Sequence, residues 1–133
     1  MAPTFTGLGI AVDDMAAALA FYRLLGLDIP PGADREPHVE ADLPGGVRIM
    51  FDTTELMQTF DPAFRPSGAR GRIGLAFECG SPDEVDAVHA SLVRAGYRSH
   101  LAPWDAFWGQ RYATVLDPDG NGVDLFAPSR AAG

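Results

Sequence analysis

The feature that most constrains this chain is an internal repeat of strand, helix and glycine. Residues 5–12 and 72–78 both alternate large apolar residues with small ones, and a period of two is typical of a β-strand. Each strand leads into an amphipathic segment that ends at a glycine, Gly26 in the first half and Gly96 in the second. The repeat therefore predicts two similar modules in one chain.

Both predicted helices carry start signals. Asp13 and Asp14 precede the first helix, and the run Ser81-Pro82-Asp83-Glu84 places Ser at the N-cap, Pro at the first position and Glu at the third. Four residues of the first helix share one apolar face: Met15, Ala18, Leu19 and Tyr22.

Each half closes with a glycine-rich turn and a final strand, residues 43–51 and 117–126. Each half is thus predicted to be strand, helix and about three further strands. The fold class is α+β, with two tandem βαβββ modules forming a curved mixed sheet around a cleft. The expected boundaries are module 1 at about 4–53, a Pro/Gly-containing linker at about 54–71 and module 2 at about 72–128.

The small residues of the two opening strands allow two interpretations. They either leave room for a ligand on the sheet face away from the helices, or they merely permit close packing. The residues concerned are Gly7, Gly9, Ala11, Gly74 and Ala76.

Composition excludes some classes of protein. The chain has 133 residues and a net charge of −8, so nucleic-acid binding is disfavoured by charge repulsion. No run of about 18 apolar residues is present, so no membrane partner is expected. The N-terminus lacks a signal-peptide pattern and the one cysteine is Cys79, so we expect a cytoplasmic protein.

Several motifs together resemble the glyoxalase/bleomycin-resistance/dioxygenase (vicinal oxygen chelate) superfamily. They are Val12-Asp13-Asp14, the helix end Phe21-Tyr22-Arg23-Leu24-Leu25-Gly26-Leu27 and the turn Asp117-Pro118-Asp119-Gly120-Asn121. The likeness covers essentially the whole chain. Segments 37–41, 45–48 and 103–113 look like the branch of this superfamily that sequesters mitomycin or quinoxaline-type antibiotics. That likeness implies a homodimer, with the modules either paired within a chain or swapped between chains. It stacks a planar drug between aromatic side chains, with His38 and Trp108 matching the stacking residues.

Metal-dependent relatives take a ligand from the first and last strands of each module, which the resemblance maps onto Gly7, Gly74 and Asp124. The fourth position is left open among Arg48, Ile49 and Met50, and none of these suits a hard divalent ion. We therefore expect no metal and no cofactor. No catalytic residue is predicted, because Cys79 has no basic neighbour. A helix cap explains Asp13 and Asp14, and a turn explains Asp117 and Asp119. His89, on a charged helix, is expected to face solvent.

The predicted ligand-binding residues combine the resemblance with strand alternation. Both tryptophans fall in the aromatic segment 104–108. The alternative interpretation is that these aromatic residues cover the end of the sheet or form a dimer contact. Tyr112 and Phe51 are also compatible with a core position. The full set is His38, Phe51, Trp104, Phe107, Trp108, Gln110, Tyr112 and Asp124.

Three functions remain open. The first is metal-free sequestration of a planar aromatic molecule in a dimer cleft. The second is a glyoxalase-like or dioxygenase-like enzyme with an atypical metal site, or a metal-free isomerase using Asp124 or Glu78. The third is binding of a cationic glycopeptide of the bleomycin type.

Overall fold

A computed structural model describes residues 2–66 and 73–129. The chain divides into two compact units, with the boundary between Pro66 and Ser67. We call the described parts the first unit (2–66) and the second unit (73–129). The α+β class and the two-module plan are confirmed. The end of the predicted linker and the start of module 2, residues 67–72, lie outside the described residues.

The first unit contains a three-stranded mixed sheet of order β1-β3-β2, in which β1 runs parallel and β2 antiparallel to β3. Its elements are β1 (Gly7–Val12), α1 (Met15–Leu24), a 3₁₀ helix (Pro31–Arg35), β2 (His38–Asp42), β3 (Arg48–Thr53) and α2 (Thr54–Phe60).

This unit differs from the predicted strand count, because only two strands follow α1 within its described residues. Pro30 and Pro31 supply no backbone N–H for a sheet ladder, and the chain forms a 3₁₀ helix instead. Arg23 holds that segment against α1, donating to the Pro30 carbonyl oxygen at 2.6 Å and to Asp34 Oδ1 at 2.8 Å. The predicted linker also begins as a helix, α2, whose N-cap Thr53 accepts from the Leu56 amide at 3.1 Å.

The second unit follows the predicted plan, with a four-stranded sheet of order β4-β7-β6-β5. Strand β4 runs parallel to β7, and β6 pairs antiparallel with both β7 and β5. Its elements are β4 (Leu75–Glu78), α3 (Pro82–Arg94), β5 (Arg98–Ala106), β6 (Gln110–Leu116) and β7 (Gly122–Pro128).

Each sheet has one face against a helix, and we call the opposite face the distal face. In the first unit Phe51 lies on the helix face, with its ring centroid 5.3 Å from that of Tyr22 in α1. In the second unit Arg111 marks the helix face, because it pairs with Asp86 of α3. Strand alternation then assigns every second residue to the distal face.

The two units have equivalent helix boundaries, although α3 is three residues longer than α1. The N-caps Asp14 and Ser81 are 67 residues apart and accept from the amides of Ala17 and Glu84 at 3.2 and 3.1 Å. Both helices are followed by a glycine with positive φ, at Gly26 (92°) and Gly96 (98°), a conformation that favours glycine. The spacing of 67 residues between the N-caps makes Gly9 of β1 equivalent to Ala76 of β4.

Candidate functional site

The distal face of the second unit carries four aromatic side chains in edge-to-face contact. Ring centroids are 5.4 Å apart for Trp104–Trp108, 4.9 Å for Phe107–Trp108 and 5.2 Å for Trp108–Tyr112, with interplanar angles of 80–90°. We call these four residues the aromatic cluster. Trp108 is its centre, because it contacts each of the other three.

Local backbone structure positions the cluster. A register shift between Leu101 and Trp104 in β5 places one extra residue against β6, so that Trp104 lies opposite Tyr112. The β5–β6 turn contains Gly109 at φ 92°, where an L side chain would be strained. The indole Nε1–H of Trp108 donates to Gln110 Oε1 at 2.8 Å, which fixes the orientation of the ring.

The cluster is exposed, unlike most large aromatic side chains. The exposed fractions are 36% for Trp104, 92% for Phe107 and 47% for Trp108. A contiguous group of exposed aromatic rings is typical of a binding surface and uncommon on an ordinary protein surface.

Asp124 joins the cluster through hydrogen bonds. The Tyr112 hydroxyl donates to Asp124 Oδ2, and the buried Thr114 hydroxyl donates to Oδ1 at 2.8 Å. Tyr112 and Thr114 lie across from Phe126 and Asp124 in the β6–β7 ladder. The Tyr112 side chain is therefore held at its hydroxyl by Asp124, while its ring contacts Trp108.

The distal face of the first unit carries a charged chain of side chains around His38. The imidazole Nδ1 is hydrogen-bonded to Asp52 Oδ1 and Nε2 to Glu40 Oε2 at 2.8 Å, while Arg48 pairs with Glu40 Oε1 at 3.3 Å. An ionised carboxylate only accepts hydrogen bonds, so a ring with a carboxylate on each nitrogen donates from both. This geometry favours the imidazolium form of His38.

The electrostatics agree with this geometry. The hydrogen bond to Glu40, and then that to Asp52, raise the pKa of His38 above its usual 6.5, against a smaller lowering effect of burial. The same contact with His38 lowers the pKa of Glu40. The two partners shift in the directions expected for an ion pair.

The structure places the predicted site residues in two groups. Trp104, Phe107, Trp108, Gln110, Tyr112 and Asp124 come together in the second unit, and His38 lies on the distal face of the first. Phe51 is a correction, because it is fully buried on the helix face beside Tyr22. Phe51 is two residues from Ile49 in β3, so both side chains lie on the helix face.

Sequence reasoning missed the partners of these residues. Glu40 and Asp52 surround His38, and Thr114 completes the contacts of Asp124. Glu40 is two residues from His38 on the same strand, so alternation could have found it. Asp52 and Thr114 come from neighbouring strands, and finding them requires the register of the ladders.

The donor set does not fit the family metal. The strand pairing identifies Met50 as the fourth family position. Met50 lies opposite Gly9 in the first unit, and Asp124 lies opposite Ala76, the equivalent of Gly9, in the second. A Cβ atom at Gly7 would come within 2.8 Å of the Met50 methyl carbon, so a thioether side chain packs over that glycine. Two glycines, one thioether and one carboxylate do not make a site for a hard divalent ion.

The glycines of β1 are not equivalent in their surroundings. Gly7 is covered by Met50, in line with the close-packing interpretation, whereas a Cβ at Gly9 would meet no described atom within 4 Å. The distal face therefore has unoccupied space at Gly9 within the part of the chain described here.

Two other reactive side chains are explained by their surroundings. Burial raises the pKa of the Cys79 thiol, which keeps it protonated and weakly nucleophilic. His89 is partly buried, with Nε2 2.7 Å from Ser99 Oγ, rather than facing solvent as predicted, and burial lowers its pKa. No helix within residues 2–66 and 73–129 is long and apolar enough to cross a membrane.

The fold is that of tandem strand–helix–strand modules, in which one face of each sheet packs against a helix and the distal face carries the candidate site residues. The profile of the glyoxalase/bleomycin resistance protein/dioxygenase superfamily matches residues 4–125. The chain therefore belongs to this superfamily.

Solved structures of the same fold extend over almost the whole chain. A glyoxalase/bleomycin resistance protein/dioxygenase from Nocardioides is 25% identical, with a TM-score of 0.74 over 99% of this chain and 87% of that one. A glyoxalase-related enzyme from Fulvimarina pelagi is 18% identical, with a TM-score of 0.78 over 93% of this chain and 87% of that one. A family enzyme from Burkholderia phytofirmans PsJN is 22% identical, with a TM-score of 0.74 over 92% and 97%. No curated protein matches the sequence.

Proposed function

We propose that this protein binds and sequesters a planar aromatic molecule of the mitomycin or quinoxaline type, without metal chemistry. The observation that carries the proposal is the aromatic cluster on the distal face of the second unit, centred on Trp108. Its rings are exposed, contiguous and held in place, which is what stacking on a flat ligand requires.

Two favourable free-energy terms contribute to the affinity for a flat ligand. Ring-on-ring contacts add about 0.5–1.5 kcal/mol per pair beyond area burial. Burial of about 300 Å² of apolar surface at ~25 cal/mol/Å² contributes about 7.5 kcal/mol more. The sum exceeds the lower estimates of about 4 kcal/mol for the loss of ligand freedom, so these terms support net binding. The ring of Trp108 loses little further freedom on binding, because Gln110 and Tyr112 already hold it.

His38 supplies a second flat ring in the proposal. Its two carboxylate contacts fix the plane of the imidazole, and its resemblance to a stacking residue of drug-binding relatives gives it that role here. The proposal includes a homodimer, the assembly that the same resemblance implies. The donor set, with Met50 and two glycines at the family positions, supports binding without a metal.

The first test is a fluorescence titration of a variant with one tryptophan. The chain has two tryptophans, so Trp104→Phe leaves Trp108 as the only indole reporter. Chelator-treated protein is titrated with mitomycin, a quinoxaline peptide, bleomycin and a non-aromatic sugar. Saturable quenching by the two planar drugs and none by the sugar is the expected result.

The matched variants are Trp108→Ala and Val93→Ala, compared by calorimetric titration with the same ligands. Val93 is an exposed apolar residue of α3 outside the cluster. We expect Trp108→Ala to weaken binding at least about tenfold, as for a central aromatic contact, and Val93→Ala to leave it unchanged. Equal affinity of both variants would contradict a role for the cluster.

The alternatives give different outcomes in the same assays. Binding that requires added divalent metal, or conversion of the ligand, would favour an enzyme, the class in which the Fulvimarina and Burkholderia relatives are named. Preference for bleomycin over the flat drugs would favour the glycopeptide hypothesis.

A further inference from the structure

We propose that the ligand of the aromatic cluster carries a protonated amine beside its planar ring, and that Asp124 selects for this charge. The inference rests on the proposed function and deepens it, because it names the chemical class of the ligand. It stands on the surroundings of Asp124 within residues 73–129, which contain aromatic rings and hydroxyls but no counter-ion.

Among the described residues of the second unit, the donors to the carboxylate of Asp124 are neutral. Both described hydrogen bonds come from hydroxyl groups, those of Tyr112 and Thr114. Within the described second unit Asp124 forms no ion pair, while Arg111 of the neighbouring strand points to the helix side and pairs with Asp86 and Asp105. Each carboxylate oxygen accepts more than one hydrogen bond, so Asp124 retains acceptor capacity for a charged donor.

The position of Asp124 leaves it accessible to a ligand. Its neighbour across the β4–β7 ladder is Ala76, whose methyl group covers little of the carboxylate. The residue is partly exposed on the distal face, and Glu78 follows two residues further along β4 on the same face. The local field on this face is thus negative.

The aromatic rings add a second attraction for a cation. Tyr112 links Asp124 to Trp108, because its hydroxyl meets the carboxylate and its ring lies 5.2 Å from the indole. The faces of Trp and Tyr attract ammonium groups through their quadrupoles. A flat ring on Trp108 and an ammonium group near Asp124 are separated by roughly the length of the Tyr112 side chain.

The test uses a matched pair of probes, an aminoethyl-quinoxaline and its N-acetylated neutral counterpart, measured by calorimetric titration at pH 7. We expect the wild-type protein to prefer the amine by about tenfold or more, the scale of a cation–π contact combined with a charge-assisted hydrogen bond. In Asp124→Asn, which keeps the shape of the side chain, this preference falls to less than about threefold.

Two further variants separate charge from structure. Tyr112→Phe removes a hydroxyl from Asp124 but keeps both the ring and the carboxylate, so the preference for the amine persists. Asp28→Asn removes one negative charge from an exposed position of the first unit and leaves the preference unchanged, which controls for net charge. Near-ultraviolet circular dichroism confirms that the cluster is folded in each variant.

The possible failures are distinguishable. Equal binding of amine and acetylated probe by wild type, or an undiminished preference in folded Asp124→Asn, would overturn the inference and leave the proposed function standing. Absence of binding by both probes would contradict the proposed function and the inference together.

Discussion

In the first unit the ring of His38 lies between two carboxylates, whereas at the equivalent point of the second unit the ring of Tyr112 meets one carboxylate and a tryptophan. The ladders make the comparison direct. His38 lies opposite Asp52, and Tyr112 lies opposite Phe126. One fold therefore presents a charged face and an aromatic face.

The difference shows how a repeat diverges while its core is kept. Met50 and Asp124 are equivalent, and so are Asp52 and Phe126, so the acidic side chain has exchanged places with an apolar one. Both units keep a ring held by a carboxylate from the neighbouring strand. The helix faces, in contrast, bury apolar side chains at equivalent positions of both units, Phe51 and Leu125.

The largest expected effect concerns those helix faces. Phe51 and its equivalent Leu125 are both fully buried, so truncation to alanine removes packed volume. We expect Phe51→Ala to lower the free energy of unfolding by about 3–5 kcal/mol and Leu125→Ala by about 2–5 kcal/mol. Urea denaturation measures both.

Phe107→Ala is the control, because that ring is 92% exposed and its loss costs within about 0.5 kcal/mol. A loss of less than about 1 kcal/mol for Phe51→Ala would contradict its assignment to the core.

Local sequence signals predicted most of the fold. The N-caps Asp14 and Ser81, the glycines after both helices and the period-two strands all lie where they were expected. These features depend on neighbours within a few residues, which is why one sequence is enough to find them. The strand count was predicted wrongly at the segment with Pro30 and Pro31. The prediction relied on symmetry with the other half and gave too little weight to the missing N–H donors of proline.

The site was predicted less completely, because its contacts run between strands. The six predicted residues of the second unit come together, although their role in ligand binding stays a prediction. Phe51 was misplaced because the register of β3 could not be read from sequence, and a one-residue slip moves a side chain to the other face. Asp52 and Thr114 were missed for the same reason.

The prediction of intermediate size compares the N-termini of α1 and α3. Asp14 and Ser81 each satisfy one backbone amide of the first turn, and α3 has a further bond from the Gly80 amide to Glu84. Replacement of either cap by alanine is expected to cost about 1 kcal/mol in the free energy of unfolding. Glu84→Ala in the Ser81→Ala background removes that second acceptor and tests whether its contact with the Gly80 amide limits the loss at α3. A Ser81→Ala protein as stable as wild type would show that the cap geometry does not contribute.

The smallest effect concerns His38, whose side chain is 42% exposed. Nuclear magnetic resonance titration of the three histidines should place the pKa of His38 above 6.5 and that of His89 below it, because ion pairing acts on the first and burial on the second. Glu40→Gln should lower the pKa of His38 more than Asp52→Asn, since the Glu40 contact is the larger cause. A His38 pKa at or below 6.5 would contradict the imidazolium assignment.

The same titration has a consequence for stability with a definite sign. A pKa raised in the folded state means that protonated His38 stabilises the fold fully below about pH 6.5, and that this contribution is lost as pH rises through the raised pKa. The pKa of Glu40 is lowered from 4.5, so its contribution is lost as pH falls through that lowered pKa. The stability difference between wild type and His38→Gln should therefore be greatest between these two limits and decrease on both sides. Thermal unfolding across pH 3–9 measures it, and a difference that grows above neutral pH would show that the carboxylates of the first unit do not hold a charged ring.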